Sequence, residues 1–272
     1  MVGDASRTRA GVIVGVAVGY ASAILLLAAG CSFTLPSAGG DNDGSLGDAA
    51  RDAHGVIDAA IDAKPDALGP PQAHLVQTLH FGATFTTTET LTVSETQGDL
   101  MVVAVYNTSP DATFAVTDTA GLTWTPETPV AASGCMPALQ LWHAPVGATA
   151  VNAITVTTAA NNYLGMMVAE YSGVSAVSGA ATVAAEANSS TAAMTITTTD
   201  QAMVYAVFAD DNGLGNPGPP SGWNERDSDG FFYSVAEDNG VGAAAGTQSP
   251  SASPLAHNDN CWVGAAIALR TP

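Results

Sequence analysis

"LTVSETQGDLMVVAVYN", Leu91 to Asn107, holds two hydrophobic patterns back to back. Thr90 to Glu95 alternate apolar and polar side chains with period two, as a strand with one buried face does. Asp99 to Asn107 is nearly continuous and valine-rich, the pattern of a central strand covered on both faces. Neither segment shows the 3.6-residue period of an amphipathic helix.

Working outward, the same kind of segment recurs. "FAVTD" (Phe114–Asp118), "LQLWHA" (Leu139–Ala144), "AITVTT" (Ala153–Thr158) and "YLGMMVAEYSG" (Tyr163–Gly173) are short strand patterns. Between them stand the turn signals "SPD", "TAG" and "ANN". No stretch from His74 onward carries a capped helical period, and the abundance of Thr, Ala, Val and Gly suits strands. The expectation is an all-β domain over residues 74–272.

The second half echoes the first. With one gap, Leu91–Val105 aligns with "MTITTTDQAMVYAV" (Met194–Val207), and "LTWTP" with Trp124 aligns with "SGWNE" with Trp223. "LQLWHAPV" matches "FFYSVAED", and "YLGMMVAEY" matches "WVGAAIALR", which sets Gly165 on Gly264 and Tyr163 on Trp262. Two equivalent halves of this kind predict a two-sheet antiparallel sandwich with an approximate internal two-fold repeat, each half supplying strands to both sheets. A jelly roll fits best, and two separate immunoglobulin-like domains are the alternative.

"GDLMVVAVYN", "VTDTAGLTWTP", "LQLWHAP" and "MMVAEYSGV" together resemble a module of exported bacterial proteins. In that module a GDL-led strand precedes an Asp-x-x-Gly-x-Thr-Trp turn, a Leu-Trp-x-Ala strand and a Glu-Tyr-Ser-Gly strand end. The resemblance spans about Leu75 to Arg270. It implies a β-sandwich in cell-surface or adhesion-like settings, beside sugar-binding or fibronectin-like modules, and brings no catalytic residue with it.

At the other end, Arg7 and Arg9 precede a run without charge from Gly11 to Ala29, the layout of an export signal. The run is long enough to be a retained membrane anchor instead. Its ending, "LLLAAGCSF" (Leu25–Phe33), resembles a bacterial lipobox, in which Cys31 is acylated and becomes the first residue after cleavage. The pattern departs from the family at Ala28, where leucine is usual. The resemblance implies a signal peptide over 1–30 and anchoring of Cys31 by buried acyl chains. Ser32, standing where some inner-membrane lipoproteins carry Asp, favours the outer membrane by the same analogy.

Residues 31–73 are rich in Gly, Ala, Asp and Pro, with Asp48, Asp52, Asp58, Asp62 and Asp66 in an Asp-Ala rhythm. This reads as a solvated, self-repelling tether. A cation-binding repeat is the other reading. About 40 flexible residues reach on average roughly 35 Å, enough to hold a domain off a membrane.

Three cysteines are odd for an exported chain, but lipidation of Cys31 leaves two. An oxidising compartment then makes a Cys135–Cys261 disulfide the expectation, with two buried free thiols as the alternative. Neither cysteine has the neighbours of a metal site.

The chain of 272 residues carries 25 acids against 6 bases, for a net charge of -19. Such a surface repels phosphate backbones, which argues against nucleic acid as a partner, and attracts divalent cations.

No Gly-x-Ser-x-Gly elbow and no His-Glu-x-x-His occurs. Glu170 has no marked carboxylate partner of the kind glycoside hydrolysis requires, and it reads as a rim residue. Trp142 and His143 alternate, so Trp142 is expected in the core and His143 in solvent. The chain is therefore read as a non-enzyme.

The longest loop, Ala209–Gly230, gathers Asp210, Asp211, Asn212, Asp227 and Asp229 on glycine-rich backbone. Hard oxygen ligands of this type suit Ca²⁺, although the spacing is not an EF-hand. A solvated insertion between strands is the favoured reading of the loop, with the calcium site as the other. "AEDNG" (Ala236–Gly240) is a second acidic turn. Trp223, with Asn224 beside it, is the candidate platform for a sugar ring, although its match to Trp124 favours a packing role. The functional expectation is a lipid-anchored binding or display module for carbohydrate or another cell-envelope ligand. A structural or adhesive protein making protein contacts is the alternative.

Overall fold

The structure is a computed structural model that describes residues 72–131, 137–185, 190–210, 213–228, 234–240, 243–256 and 261–272. The expected signal, Cys31, the expected tether up to residue 71, Cys135, Asp211, Asn212 and Asp229 lie outside the described residues. Ala73, assigned to the tether by composition, is already a core residue.

The first half runs through β1 (His74–Glu95), β2 (Leu100–Asn107), β3 (Phe114–Asp118), β4 (Thr125–Pro126), β5 (Val130–Ala131), β6 (Ala138–Pro145) and β7 (Ala150–Ser172). The second runs through β8 (Ala176–Ala185), β9 (Ala192–Ala193), β10 (Ile196–Thr198), β11 (Ala202–Asp210), β12 (Asn224–Ser228) and β13 (Ser234–Asp238). It ends with β14 (Gly246–Gln248), β15 (Ser251–Ala252) and β16 (Trp262–Arg270). The fold is all-β and every pairing in it is antiparallel.

The first sheet is ordered β1-β7-β2-β6-β4, with β3 added on β7 and β5 on β6. The second is ordered β8-β16-β11-β13-β12. These are the same order with equivalent strands in equivalent places, so the repeat seen in the sequence is a repeat of topology. The sheets lie face to face in opposite sense, β1 meeting β12 at one edge and β5 meeting β8 at the other. Each sheet is built from one half alone. The sharing of sheets between halves, and the interleaving that a jelly roll requires, are not in this hydrogen-bonding order.

Between the sheets lies one core drawn from both halves. Val102, Ala104, Tyr106, Leu141, Met167 and Tyr171 of the first sheet pack with Tyr205, Val207, Val263, Ala265 and Ile267 of the second. This shared core is what makes one sandwich of two repeats. Each sheet also buries its outer face. Met101, Val103 and Val105 meet Val93, Ile154 and Val156, and Val204, Ala206 and Phe208 meet Met194, Ile196 and Leu255. Every residue of β2 and of β11 is therefore buried, which explains their unbroken apolar runs.

The faces correct the alignment of the halves. Leu100 and Val102 face the shared core, as do Met203 and Tyr205, whereas Ala202 and Val204 face outward. The true match sets Leu100 on Met203 and Asn107 on Asp210, with no gap. The gap slipped the strand by one residue, and because side chains alternate, a slip of one turns every residue to the wrong face. Gly165 and Gly264 are likewise one position out of equivalence. Each stands opposite an aromatic of the neighbouring strand, Gly165 against Tyr106 and Gly264 against Phe208, on opposite faces of their sheets. A Cβ on either would meet that ring.

β7 also departs from expectation. "AITVTT" and "YLGMMVAEYSG" are one strand, and "ANN" between them is not a turn. Its first part pairs with the second part of β1 and with β3, and its last part pairs with β1 and β2. Register shifts at Phe81/Thr84 and Thr86/Thr88 mark the bend, as extra residues in one strand of a pair commonly do. The bend lets the long β1–β7 pair contribute both to the central sheet and to the layer covering its outer face.

Candidate functional site

The Asp-x-x-Gly-x-Thr-Trp segment closes on itself. Asp118 at the end of β3 accepts the N–H groups of Gly121 at 2.6 Å and Leu122 at 3.2 Å through Oδ1. Its Oδ2 accepts the indole N–H of Trp124 at 2.7 Å. Gly121 takes φ 77°, a left-handed conformation that favours glycine. Trp124 packs against the outer core of the first sheet. The motif is a side-chain-capped turn, and that chemistry accounts for its residue types.

A carboxyl group cluster lies beside this turn. Glu170 of β7, read from sequence as a rim residue, is fully buried. Its Oε1 accepts the Thr96 N–H at 2.6 Å and its Oε2 accepts the Gln77 amide. Asp99, the Asp of "GDL", shares a hydrogen bond with Glu170, and burial first and the neighbouring Glu170 second push its carboxyl above the usual range. Burial does the same to Glu95, partly offset by a hydrogen bond from Asn152, with Asp118 and Glu170 adding to the rise. Carboxyls pressed together out of water retain protons to higher pH.

In the pH window just above the ordinary carboxyl value, the folded state therefore holds more protons at Glu95 and Asp99 than the unfolded chain. Their contribution to stability rises as pH falls through that window and is lost as pH rises through the raised values. Asp99→Asn keeps an N–H donor for Glu170 and removes one titration. We expect the gain in urea midpoint between about pH 7 and about pH 5 to be smaller in this variant than in the parent. An unchanged gain would assign the pH effect to the general negative charge.

Of the calcium candidates, Asp210 ends β11 and is fully buried, and Asp227 lies in β12. Asp227 is opposite Ala236, which is opposite Val207, so the two are two strands and three residues apart. That separation is on the order of 14 Å between Cα atoms, and Asp227 instead meets His80 Nδ1 of β1 at 2.7 Å. No group of three or more His, Cys, Asp or Glu side chains suited to a metal occurs among the described residues.

Trp223 is partly buried and packs against the outer core of the second sheet, as Trp124 does against the first. Asn224 is exposed, and its amide reaches 3.4 Å from Asp238. Asp238, in the second acidic turn, is the centre of a polar clasp between the sheets. It accepts Arg226 Nε at 2.7 Å and Nη2 at 2.9 Å, Gly240 N–H at 2.8 Å and, from the opposite sheet, the Tyr171 hydroxyl at 3.1 Å. The Thr78 hydroxyl donates to the Arg226 carbonyl across the same edge at 3.1 Å. These acids serve structure. His143, expected in solvent, is mostly buried and meets Glu127 Oε1 at 3.1 Å. Cys261 is half-buried against the shared core and is not a free thiol.

Among the described residues, the exposed large aromatics lie elsewhere. Phe85 of β1 is 61% exposed and Tyr163 of β7 is 43% exposed. They are register partners, with ring centroids 5.8 Å apart at 82°, an edge-to-face pair. They sit at the bend between the two register shifts, flanked by the exposed Thr84, Thr87 and Thr88 and by Asn162, whose Oδ1 accepts the Tyr163 N–H. In sequence the only hints are a lone Phe among threonines and a Tyr after two asparagines.

Comparison with family models, curated proteins and solved structures gave no match.

Proposed function

We propose that this protein is an exported, lipid-anchored β-sandwich that binds a carbohydrate of the cell envelope on its exposed aromatic pair. The observation that carries this reading is the Phe85–Tyr163 platform: two large apolar rings in water at a bend of the long β1–β7 pair, ringed by Thr and Asn. An apolar CH face of a sugar lies well on such rings while the flanking hydroxyls and amides take its polar edges. Neither Trp223 nor a calcium ion is assigned a part in this binding.

In this reading Cys31 carries the lipid in the outer membrane and residues 31–73 space the sandwich from it. Cys135 is the bridge partner of Cys261. Its sequence position between β5 and β6 supports this, because both strands pack on β16, which Cys261 immediately precedes. Such a bridge would tie the two halves together.

Residues 72–272, oxidised, should bind one class of polysaccharide on a glycan array. Phe85→Ala with Tyr163→Ala should weaken that binding by about tenfold or more, with little change in the urea midpoint because both rings are exposed. Retained binding in the double variant would remove the platform from the site. Absence of sugar binding together with association that grows with protein concentration would favour the adhesive reading.

A further inference from the structure

A second feature lies at the other end of the same strand pair, ten residues along β1 from Phe85. A cleft of about 360 Å³ opens there, and Glu95, Ala120, Leu122, Pro145, Gly147 and Ala148 are among its lining residues. Its walls are mostly apolar, and Glu95 is its one acidic lining residue.

Glu95 is only 1% exposed. Its Oε2 accepts the Asn152 amide at 3.0 Å. Asn152 cannot turn to serve it differently, because its Oδ1 already accepts the Thr119 N–H, the Thr119 hydroxyl and the Ala120 N–H at 3.0, 3.2 and 3.1 Å. The other oxygen of Glu95, Oε1, is buried and has no partner among the described residues. A buried carboxyl oxygen without a partner costs free energy whether it is ionised or not.

The surroundings make that site cation-seeking. Asp118 and Glu170 lie near enough to raise the Glu95 carboxyl further. The oxygens of Asp118 are taken by the turn and those of Glu170 by Thr96 and Gln77, so they supply field and not contacts. Calcium requires six to eight oxygens, and one free carboxyl oxygen between alanine, leucine and proline walls does not provide them. A single N–H-bearing cation on a small organic body matches one acceptor, a negative field and apolar walls.

We propose that the cleft at Glu95 is a binding site for a ligand carrying a primary ammonium group, with the Glu95 carboxyl group, which lines the cleft, as its acceptor and the Ala, Leu and Pro walls holding the body of the molecule. The site is separate from the Phe85–Tyr163 platform and does not depend on the function proposed for it.

The test is a backbone amide NMR titration of residues 72–272 with glucosamine, and in parallel with N-acetylglucosamine and calcium chloride. Glucosamine should shift the amides of Gly121, Leu122 and Gly147 saturably, with a Kd of order 1 mM. N-acetylglucosamine, of similar shape without the charge, should bind at least about tenfold more weakly, and calcium should not saturate these resonances. Glu95→Gln should lower glucosamine affinity about tenfold or more. Ala148→Phe, a change at an exposed wall position, keeps Glu95 and should also abolish binding, so a poorly folded Glu95 variant does not remove the test. Equal shifts from the acetylated sugar, saturation by calcium alone, or no saturable shift with glucosamine would each overturn the proposal. Loss of sugar binding at Phe85 leaves this result unaffected, so the two readings fail separately.

Discussion

Replacing Asp238 with alanine should lower the unfolding free energy by about 3–5 kcal/mol. The carboxylate is fully buried, yet it accepts two bonds from one guanidinium, one from a backbone N–H and one from Tyr171 of the opposite sheet. Bidentate, charge-assisted pairs are the strong members of their class. Removal leaves the Arg226 charge, which is largely withdrawn from water, and a buried hydroxyl with no acceptor. Desolvated groups left without partners are what make such truncations expensive. Urea unfolding at neutral pH measures the loss. Tyr171→Phe should cost only about 1 kcal/mol, because it removes one donor and leaves the ion pair. In a cycle with Arg226→Met, the pair should show a coupling of about 1 kcal/mol or more. An Asp238→Ala cost below about 1 kcal/mol would mean that apolar contact alone holds the sheets at that edge.

Gly165→Ala should cost about 3 kcal/mol or more, at the upper end for overpacking. Its Cβ would fall within the ring of Tyr106, which is fully buried in the shared core. Neither the ring nor the β7 backbone, paired on both sides by β1 and β2, has room to retreat. Gly264→Ala is the informative comparison. There the nearest atoms are ring carbons of Phe208 at 3.0 Å and the Met194 sulfur at 3.2 Å. Methionine is flexible and can give way, so this change should cost about 1–3 kcal/mol. Tyr106→Leu should recover part of the Gly165→Ala loss while leaving Gly264→Ala unchanged. Urea midpoints of the parent, the three single variants and the two combinations with Tyr106→Leu decide the matter. Equal costs at the two glycines would show that the rings are not what excludes a side chain.

Period-two alternation at Thr90–Glu95 and the unbroken run at Leu100–Tyr106 were enough to read strands, because strand geometry writes itself into the pattern. The two-fold repeat was legible for the same reason, and the identical strand order of the two sheets bears it out. The alignment of the halves was not. A gap that costs nothing in similarity exchanges the two faces of β11, and only the packing of Met203 and Tyr205 against the other sheet reveals it. The continuity of β7 through "ANN" was hidden because asparagines on an exposed strand bend look like a turn.

The site shows the same division. Glu170 is far in the chain from Glu95 and Asp99 and no spacing signal links them, yet β2 and β7 pair Met101 with Glu170 and bring "GDL" beside "AEYSG". Asp227 and Asp238 read as possible ion ligands by composition, and only the fold sets Asp227 Oδ1 against His80 and Asp238 against Arg226. Trp223 packs, as its match to Trp124 favoured, whereas Phe85 looked unremarkable and stands in water.

The sequence by itself determined the all-β class, the repeat and the acidity, since each is a property of local pattern or of composition. The tertiary structure alone decided which residues share a face, which carboxyls meet and which aromatics remain in water. Those depend on register and on the stacking of one sheet over another, and a shift of one residue along a strand, invisible in composition, turns every side chain to the other side.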